Sequence, residues 1–374
     1  MDIIISVIGF IRREIVFVIA LAAAAVTAFF NPPSMAWIDA IDFRTLSLLF
    51  SLMGISEGLK ASGLFDSAAG VMMKRAGDTR KLSLLLLVIV FISSMFFTND
   101  VALLMFVPFS MMILDREGED EKYIIRLVIL ETIAANLGSM TTPIGNPQNL
   151  YILSYFSVEA LPFFRTILPY SLLSVVLIAA SFMVLLRSSR SLNVDEREVR
   201  KAEKTRTVIY LLFLLAALLT VFHVIPAWLL FAVELIFLAI FDRKILKRID
   251  YILLLTFVCF FIFSENMRNI EVVRELITAP MLTHPIASSA IVSQVISNVP
   301  AAILLSPFAE SFEGVLIGTD IGGLGTPIAS LASLISLKFY FRRQNGRKGH
   351  YLVLFLVLNF LLLSILALLS YVIE

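Results

Sequence analysis

The residues equipped for chemistry lie in short polar stretches set inside apolar sequence. Residues 138–149 read G-S-M-T-T-P-I-G-N-P-Q-N. The apolar segments on either side, 123–137 and 150–156, are each too short to cross a bilayer, which takes ~20 residues. Pro143 and Pro147 lack a backbone N–H, and Gly138 and Gly145 lend no helical preference. The pattern predicts a membrane helix broken at mid-depth. Unwound backbone at that depth must be buried in protein or line a cavity. Its free carbonyls suit a hard cation, and the N-terminus of the restarting half-helix suits an anion. Thr141, Thr142, Asn146 and Asn149 add hydroxyl and amide oxygens to the same stretch.

The device occurs twice. Residues 136–143 read N-L-G-S-M-T-T-P and residues 320–327 read D-I-G-G-L-G-T-P. Gly138, Thr142 and Pro143 align without a gap on Gly322, Thr326 and Pro327, with Gly325 inside the second stretch. Upstream, Thr98-Asn99 precedes Pro108-Phe109 at the spacing by which Ser297-Asn298 precedes Pro307-Phe308. Further upstream, Ile41-Asp42-Phe43 and Ile249-Asp250-Tyr251 are each followed at one distance by a glutamate, Glu57 and Glu265. Matches in the same order make an internal repeat.

The elements that must position these residues are membrane spans. Of 374 residues, 59% are hydrophobic and 16% charged, against ~25% charged in soluble domains. Mean hydropathy is +0.93. This is the composition of an all-α polytopic membrane protein, with lipid as its surroundings. A net charge of +1 gives no reason to expect nucleic acid as a partner. The single cysteine, Cys259, excludes an internal disulfide and reads as a packed thiol. Arg12-Arg13 precede a long apolar run with no small-residue cleavage site, which reads as an uncleaved first span.

Spans are expected over 15–30, 43–59, 167–186, 207–222, 227–241, 251–264 and 352–371. Residues 60–81 read as a polar connection, and 265–278 as a more polar segment that can lie on the surface. Two pairs of apolar arms cover 83–114, folded at Thr98-Asn99-Asp100, and 280–309, folded at Ser297-Asn298. Each arm of the first pair runs to about fifteen residues, or ~22 Å as helix, short of the ~30 Å hydrocarbon core. A re-entrant hairpin with its tip near mid-membrane is favoured over two short spans meeting in a surface turn. Broken helices are expected over 123–156 and 315–340. The first repeat is then 1–186, a charged cytoplasmic linker covers 187–206, and the second repeat is 207–374.

Loop charge orients the chain. With Arg12 and Arg13 in the cytoplasm, loops 60–82, 115–122, 187–206, 242–250 and 341–350 all fall inside and hold nearly all the Lys and Arg. The outer loops hold mainly Arg165, Arg268 and Arg274. The N-terminus is cytoplasmic and the C-terminus outside. An odd number of crossings between Asp42 and Asp250 inverts the second copy, the design of many secondary transporters.

The two tips and two breaks then converge on one polar site. Substrate contacts are expected from Thr98, Asn99, Thr142, Pro143, Asn146, Asn149, Ser297, Asn298, Thr326 and Pro327. Cation coupling is expected from Asn99, Asp100, Gly138, Thr141, Gly145, Asn298, Asp320, Gly322 and Gly325, with sodium held among Asn99, Asp100, Gly145, Asn298 and Gly325. Hard oxygen ligands point to sodium or a proton as the coupling ion and to no other cofactor, since soft metals want Cys or His clusters. Asp100 and Asp320 are the two acids placed near mid-membrane, where acids are costly and usually functional. Each can coordinate a cation, exchange a proton, or cap the adjacent half-helix. Glu57, Glu265, His223 and His284 fall near span ends and read as interface residues. The sequence has no His-Glu-x-x-His pattern, paired catalytic Asp motif or Ser/His pairing within apolar spans, so nothing speaks for an intramembrane enzyme.

T-N-D-V-A-L-L at 98–104, together with T-P-I-G-N-P-Q-N at 142–149, resembles the ion transporter superfamily. That group includes divalent-anion/sodium symporters, citrate transporters, arsenite permeases and sodium/proton antiporters. S-Q-V-I-S-N-V-P at 293–300 and G-G-L-G-T-P at 322–327 are similar to it as well. The likeness covers most of the chain and is to short bacterial and archaeal "anion transporter" members. It implies a homodimer in a prokaryotic plasma membrane, held by a scaffold domain, with a mobile domain carrying the hairpins in an elevator movement. In the dicarboxylate branch both tips read Ser-Asn-Thr and hold substrate and sodium. Here Thr98, Asn99, Ser297 and Asn298 match, while Asp100 and Val299 replace the threonines. Asp100 resembles the acidic tips of the arsenite and antiporter branches. The expectation is a secondary active transporter of a small anion, carboxylate or inorganic oxyanion, coupled to Na+ or H+. The alternatives are a sodium/proton antiporter and an arsenite efflux permease.

Overall fold

The structure, a computed structural model, describes residues 9–11, 14–192, 202–344 and 346–373. Every regular element among them is a helix, and the β-type pairing they contain is one bridge between Asp78 and Ser191. Arg12 and Arg13, on which the orientation leans, lie outside the described residues, as does the middle of the linker, 193–201.

The first apolar run forms α1 (Ile15–Thr27), followed by a short α2 (Met35–Ala40) and by α3 (Phe43–Ala61). Asp42 starts α3 by accepting the Thr45 N–H at 2.9 Å. Asp250 starts α13 (Tyr251–Arg268) in the same way, through the Leu253 N–H at 2.9 Å. The stretch 60–81, expected as a polar connection, holds a helix, α4 (Leu64–Ala76). Gly63 and Gly77 bound it with φ of 76° and 68°, a backbone in which any other residue strains. Phe65, Ala69, Met72 and Ala76 bury one face of it, and Lys74 and Arg75 stand in its last turn.

The first pair of arms is α5 (Thr79–Phe97) and α6 (Asn99–Arg116), of 19 and 18 residues, or ~28 and ~27 Å. These arms are longer than the expected 83–114. Asp78 accepts the Lys81 N–H at 2.8 Å and so starts the helix at Thr79, drawing polar residues into the arm. The arms approach the ~30 Å hydrocarbon core, and α5 alone is long and apolar enough to cross a membrane. After them come α7 (Glu121–Ser139) and α8 (Pro147–Tyr155), separated by the unwound residues 140–146, and then α9 (Ala160–Leu185), which starts earlier than residue 167 and carries Pro169 inside.

The second half opens with α10 (Lys204–Val221), α11 (Ala227–Phe241) and the short α12 (Arg243–Leu246) before α13. The helix α14 (Glu271–Thr283) takes in Pro280 and Met281, so the second hairpin begins at Pro285, not at 280. Proline without an N–H is well placed at the first helical position. The arms are α15 (Pro285–Ile296) and α16 (Asn298–Leu305), the latter extended by a 3-10 turn over 306–308. Then come α17 (Phe312–Ile321), the unwound 322–330, α18 (Leu331–Phe341) and α19 (Lys348–Ile373).

α7 is the buried axis. Every residue from Leu127 to Met140 is buried, because α5, α6, α9, α18 and α19 surround it, and a helix apolar on all sides needs such enclosure. α1 lies along α13, where Cys259 packs with Ala20 and Ala24. Among the described residues, five helices are long and apolar enough to cross a membrane, and α3 with α4, bent by 52°, can make a sixth. The chain is an all-α, multi-pass membrane protein.

Candidate functional site

Both tips turn on a residue in backbone that L-amino acids avoid. Thr98 has φ 62° and ψ 148°, and Ser297 has φ 75° and ψ 155°. Such strain costs ~1–3 kcal/mol and persists only where neighbours over-determine it. The next residue does part of that at each tip. Asn99 Oδ1 accepts the Asp100 N–H at 3.0 Å, and Asn298 Oδ1 accepts the Val299 N–H at 2.9 Å. At the second tip the Asn298 N–H and the Ser297 hydroxyl also both donate to the Ala329 carbonyl, at 2.9 and 3.3 Å.

Both breaks open with a glycine pressed on a hairpin arm. A Cβ on Gly138 would lie 2.3 Å from the Phe91 carbonyl oxygen of α5, and one on Gly322 would lie 2.9 Å from Ala290 Cα of α15. The threonines fasten the breaks. Thr142 donates its hydroxyl to the Met95 carbonyl. Thr326 donates its hydroxyl to the Gln294 carbonyl at 3.0 Å and its N–H to Gln294 Oε1 at 2.8 Å.

Asn136 and Asp320, aligned in the repeat, sit before the breaks and reach across to the other half. Asn136 Oδ1 accepts from Asn99 Nδ2 at 3.0 Å and from Ser330 Oγ at 2.9 Å. Its Nδ2 donates to Ser333 Oγ at 3.3 Å and to the Gly323 carbonyl at 3.4 Å. Asp320, 2% exposed, accepts on Oδ1 from Gln148 Nε2 at 3.1 Å and Asn146 Nδ2 at 3.4 Å. Among the described residues, Asp320 Oδ2, Asn146 Oδ1 and Gln148 Oε1 have no donor, and neither does Asp100 Oδ1. Buried acceptors lacking donors are costly, and a set made only of oxygens is one that a hard cation or a proton can satisfy.

Asp100, Asn146 and Gln148 border one cavity of about 310 Å³, whose wall does not include Asp320. Its polar wall is Asn99, Asp100, Asn146, Gln148, Thr256, Ser297, Asn298 and Ser330, and apolar residues such as Val16, Ile19, Phe257 and Leu334 close the rest. The first residues of four helices line it: Asn99 of α6, Pro147 of α8, Asn298 of α16 and Leu331 of α18. Helix N-termini carry partial positive charge and free N–H groups. Among the described residues, neither lysine nor arginine is in the wall. A wider recess of about 490 Å³, which takes in Asp42, Glu265 and Arg268, reaches neither tip.

Of the residues expected at the site, Asn99, Asp100, Asn146, Ser297 and Asn298 face the cavity. Thr142, Thr326, Gly138 and Gly322 brace the breaks against the arms instead. Asn149 donates to the Thr142 carbonyl at 3.2 Å and holds the first break from within. Gly145 lies against the Ser139 carbonyl, and Gly325, with φ 102°, against the Gln294 side chain. Thr98, Thr141, Pro143 and Pro327 are not part of the cavity wall. Gln148 and Ser330 line it unexpectedly, and Asn136 joins the halves. Asn136 was visible as the aligned partner of Asp320. Asp100 and Asp320 are also not the only acids buried in the spans. Glu131 of α7 and Glu234 of α11 are fully buried too, and a lone acid inside an apolar run was the signal for each.

A sequence model of the citrate transporter family matches residues 3–335. An uncharacterized transporter of Methanocaldococcus jannaschii is 29% identical over 314 residues, which is 84% of this chain and 85% of that protein. The Escherichia coli inner membrane protein YbiR is 30% identical over 322 residues, 83% of this chain and 84% of its own. A silicon efflux transporter of Oryza sativa subsp. japonica is 32% identical over 130 residues, 35% of this chain and 26% of its own. These likenesses make the protein a membrane transporter and not an enzyme. With the match running through both tips and into the second broken helix, the chain belongs to the citrate transporter family.

Proposed function

We propose that the chain is a secondary active transporter that moves a small anion, a carboxylate or an inorganic oxyanion, coupled to sodium or protons. The observation that carries this is the convergence of four helix N-termini on one cavity. Their positive ends can hold an anion without a buried Lys or Arg. Asp100 and the donor-free oxygens of Asp320, Asn146 and Gln148 favour a cation beside it. Opposite charges bound side by side raise each other's affinity, and that mutual gain is the coupling free energy. Asn99, Asn146, Ser297 and Asn298 are the substrate contacts in this reading, and Asp100 and Asp320 the coupling residues. The halves are inverted copies with re-entrant hairpins, and the site lies where they meet. The hairpins travel with a mobile domain, elevator-fashion, within a homodimer. The host membrane is a prokaryotic plasma membrane, with the N-terminus inside and the C-terminus outside.

Proteoliposomes with imposed sodium or proton gradients test this. Gradient-driven uptake of citrate or another carboxylate or oxyanion is expected. Vesicles that accumulate none of them under either gradient would overturn the reading.

One observation favours a second reading. Among the described residues, the cavity wall carries Asp100 and no basic residue, which suits an uncharged weak acid such as arsenous or silicic acid, expelled against inward cation flow. The silicon efflux relative points the same way for its own substrate. A sodium/proton antiporter, with no organic substrate, rests on the same acids. Sodium pulses given to vesicles loaded with a pH dye, with Asp100→Asn as control, separate it from the others.

A further inference from the structure

We propose that Glu131 is a proton-binding site that couples to transport from outside the cavity; the coupling rests on the transporter reading above. Glu131 lies in the middle of α7, 0% exposed. Its Oε1 faces the Ser110 hydroxyl of α6, and its Oε2 has no partner. The Ser110 hydroxyl also lies 2.8 Å from the Phe106 carbonyl. A hydroxyl has one proton to donate, and a carbonyl can only accept. Both contacts are filled when Ser110 donates to Phe106 and Glu131, protonated, donates to Ser110. An ionised Glu131 would take the Ser110 proton from Phe106 and leave a charged, unpaired oxygen in an apolar interior, which is expensive.

The placement links this proton to the site. Glu131 precedes Asn136 by ~7.5 Å of helix, and Asn136 holds the Asn99 tip and Ser330 together. Ser110 belongs to the arm that begins at that tip. A buried polar seam between α7 and α18 leads outward through Asn136–Ser333, Thr132–Ser336 at 2.7 Å and Glu121–Tyr340 to the surface pair of Glu121 with Arg343. Tyr351 of α19 stacks on Tyr340 at 4.6 Å and lies within electrostatic reach of Glu131. Among the described residues Tyr351 is the titratable group facing Glu131, and no basic group pairs with it. When Glu131 releases its proton to bulk water, the Ser110 hydrogen bond swings from Phe106 to the Glu131 carboxylate. Loading and release therefore alter the contact between the arm and the broken helix.

The test is infrared difference spectroscopy on wild type, Glu131→Gln and Ser110→Ala in liposomes. Wild type minus Glu131→Gln should show a protonated-carboxyl stretch that shifts in D2O and vanishes on alkaline titration. Ser110→Ala should keep that band and move its frequency. In the same vesicles, Glu131→Gln should lose pH-gradient-driven citrate uptake while citrate counterflow persists. Identical carboxyl spectra for wild type and Glu131→Gln overturn the proposal, as does wild-type pH-driven uptake in the variant. Wild type without citrate counterflow counts against the citrate reading alone; the infrared arm still decides whether Glu131 binds a titratable proton.

Discussion

The side chain of Asn136 accepts a hydrogen bond from the hydroxyl of Ser330 at 2.9 Å, so the residue before the first break is fastened to the residue after the second. The aligned pair does the same in reverse, Asp320 accepting from Asn146 at 3.4 Å. The halves are clasped twice, once by a neutral amide and once by a carboxylate. The amide holds its partners and nothing more, whereas a carboxylate can also take up a cation or a proton.

Asn136→Ala removes one side chain from four partners, all in a buried setting. Groups left unpaired there cost ~1–3 kcal/mol each before relaxation. A loss of about 3 kcal/mol is expected, read by thermal unfolding in detergent. A variant within experimental error of wild type would show that the clasp is not structural.

Asp320→Asn should abolish sodium-dependent stabilisation while leaving the fold in place. A ligand at a hundred times its Kd stabilises by ~2.7 kcal/mol, and the variant should forfeit that amount. Thermal shifts with sodium against choline read it directly. A sodium shift that survives in Asp320→Asn places the cation elsewhere, with Asp100→Asn the next variant to measure.

Gly138→Ala should cost ~1–3 kcal/mol through overpacking, because its Cβ would meet the backbone of Phe91, which cannot step aside. Gly349→Ala is the control. Nothing lies within 4 Å of a Cβ there, and a change within ~0.5 kcal/mol is expected. Equal Tm values for the two variants would refute the close approach.

Asp78 supplies a pH dependence from outside the membrane. The Lys81 N–H that it accepts, more than any charge, holds its carboxyl below the usual range. Because the folded group titrates below its unfolded value of ~3.9, its contribution is complete above that pH and is lost as pH falls through the lower folded value. Asp78→Ala should cost ~1 kcal/mol at neutral pH, and the gap to wild type should close in acid. Unfolding curves recorded from neutral pH downward check it, and a gap that widens in acid would contradict the assignment.

Much of this architecture was legible from residue types. Glycine and proline marked both breaks, and the restart points at Pro147 and Leu331 follow from Pro147 and from the end of the Gly-Thr-Pro run. Arm lengths were not legible, because the cap at Asp78 recruits polar Thr79, Arg80 and Lys81 into a helix that hydropathy alone starts later. α4 was hidden for a like reason: four buried apolar residues sit in a helix that also carries Asp66, Lys74 and Arg75. Which site residues face the cavity was set by partners far away in the chain. Thr326 turns to Gln294 while Gln148 turns to Asp320, and no local pattern distinguishes the two.

The Ser297–Asn298 turn is tied to the carbonyl of Ala329 by the Asn298 N–H and the Ser297 hydroxyl. That carbonyl is synthesised later than the turn it secures. During translation the second hairpin must therefore wait, contorted and unfastened, until downstream sequence has left the ribosome and entered the bilayer. A chain truncated ahead of Ala329 carries a loop it has no means to close, and quality-control proteases in the membrane would meet it in that state.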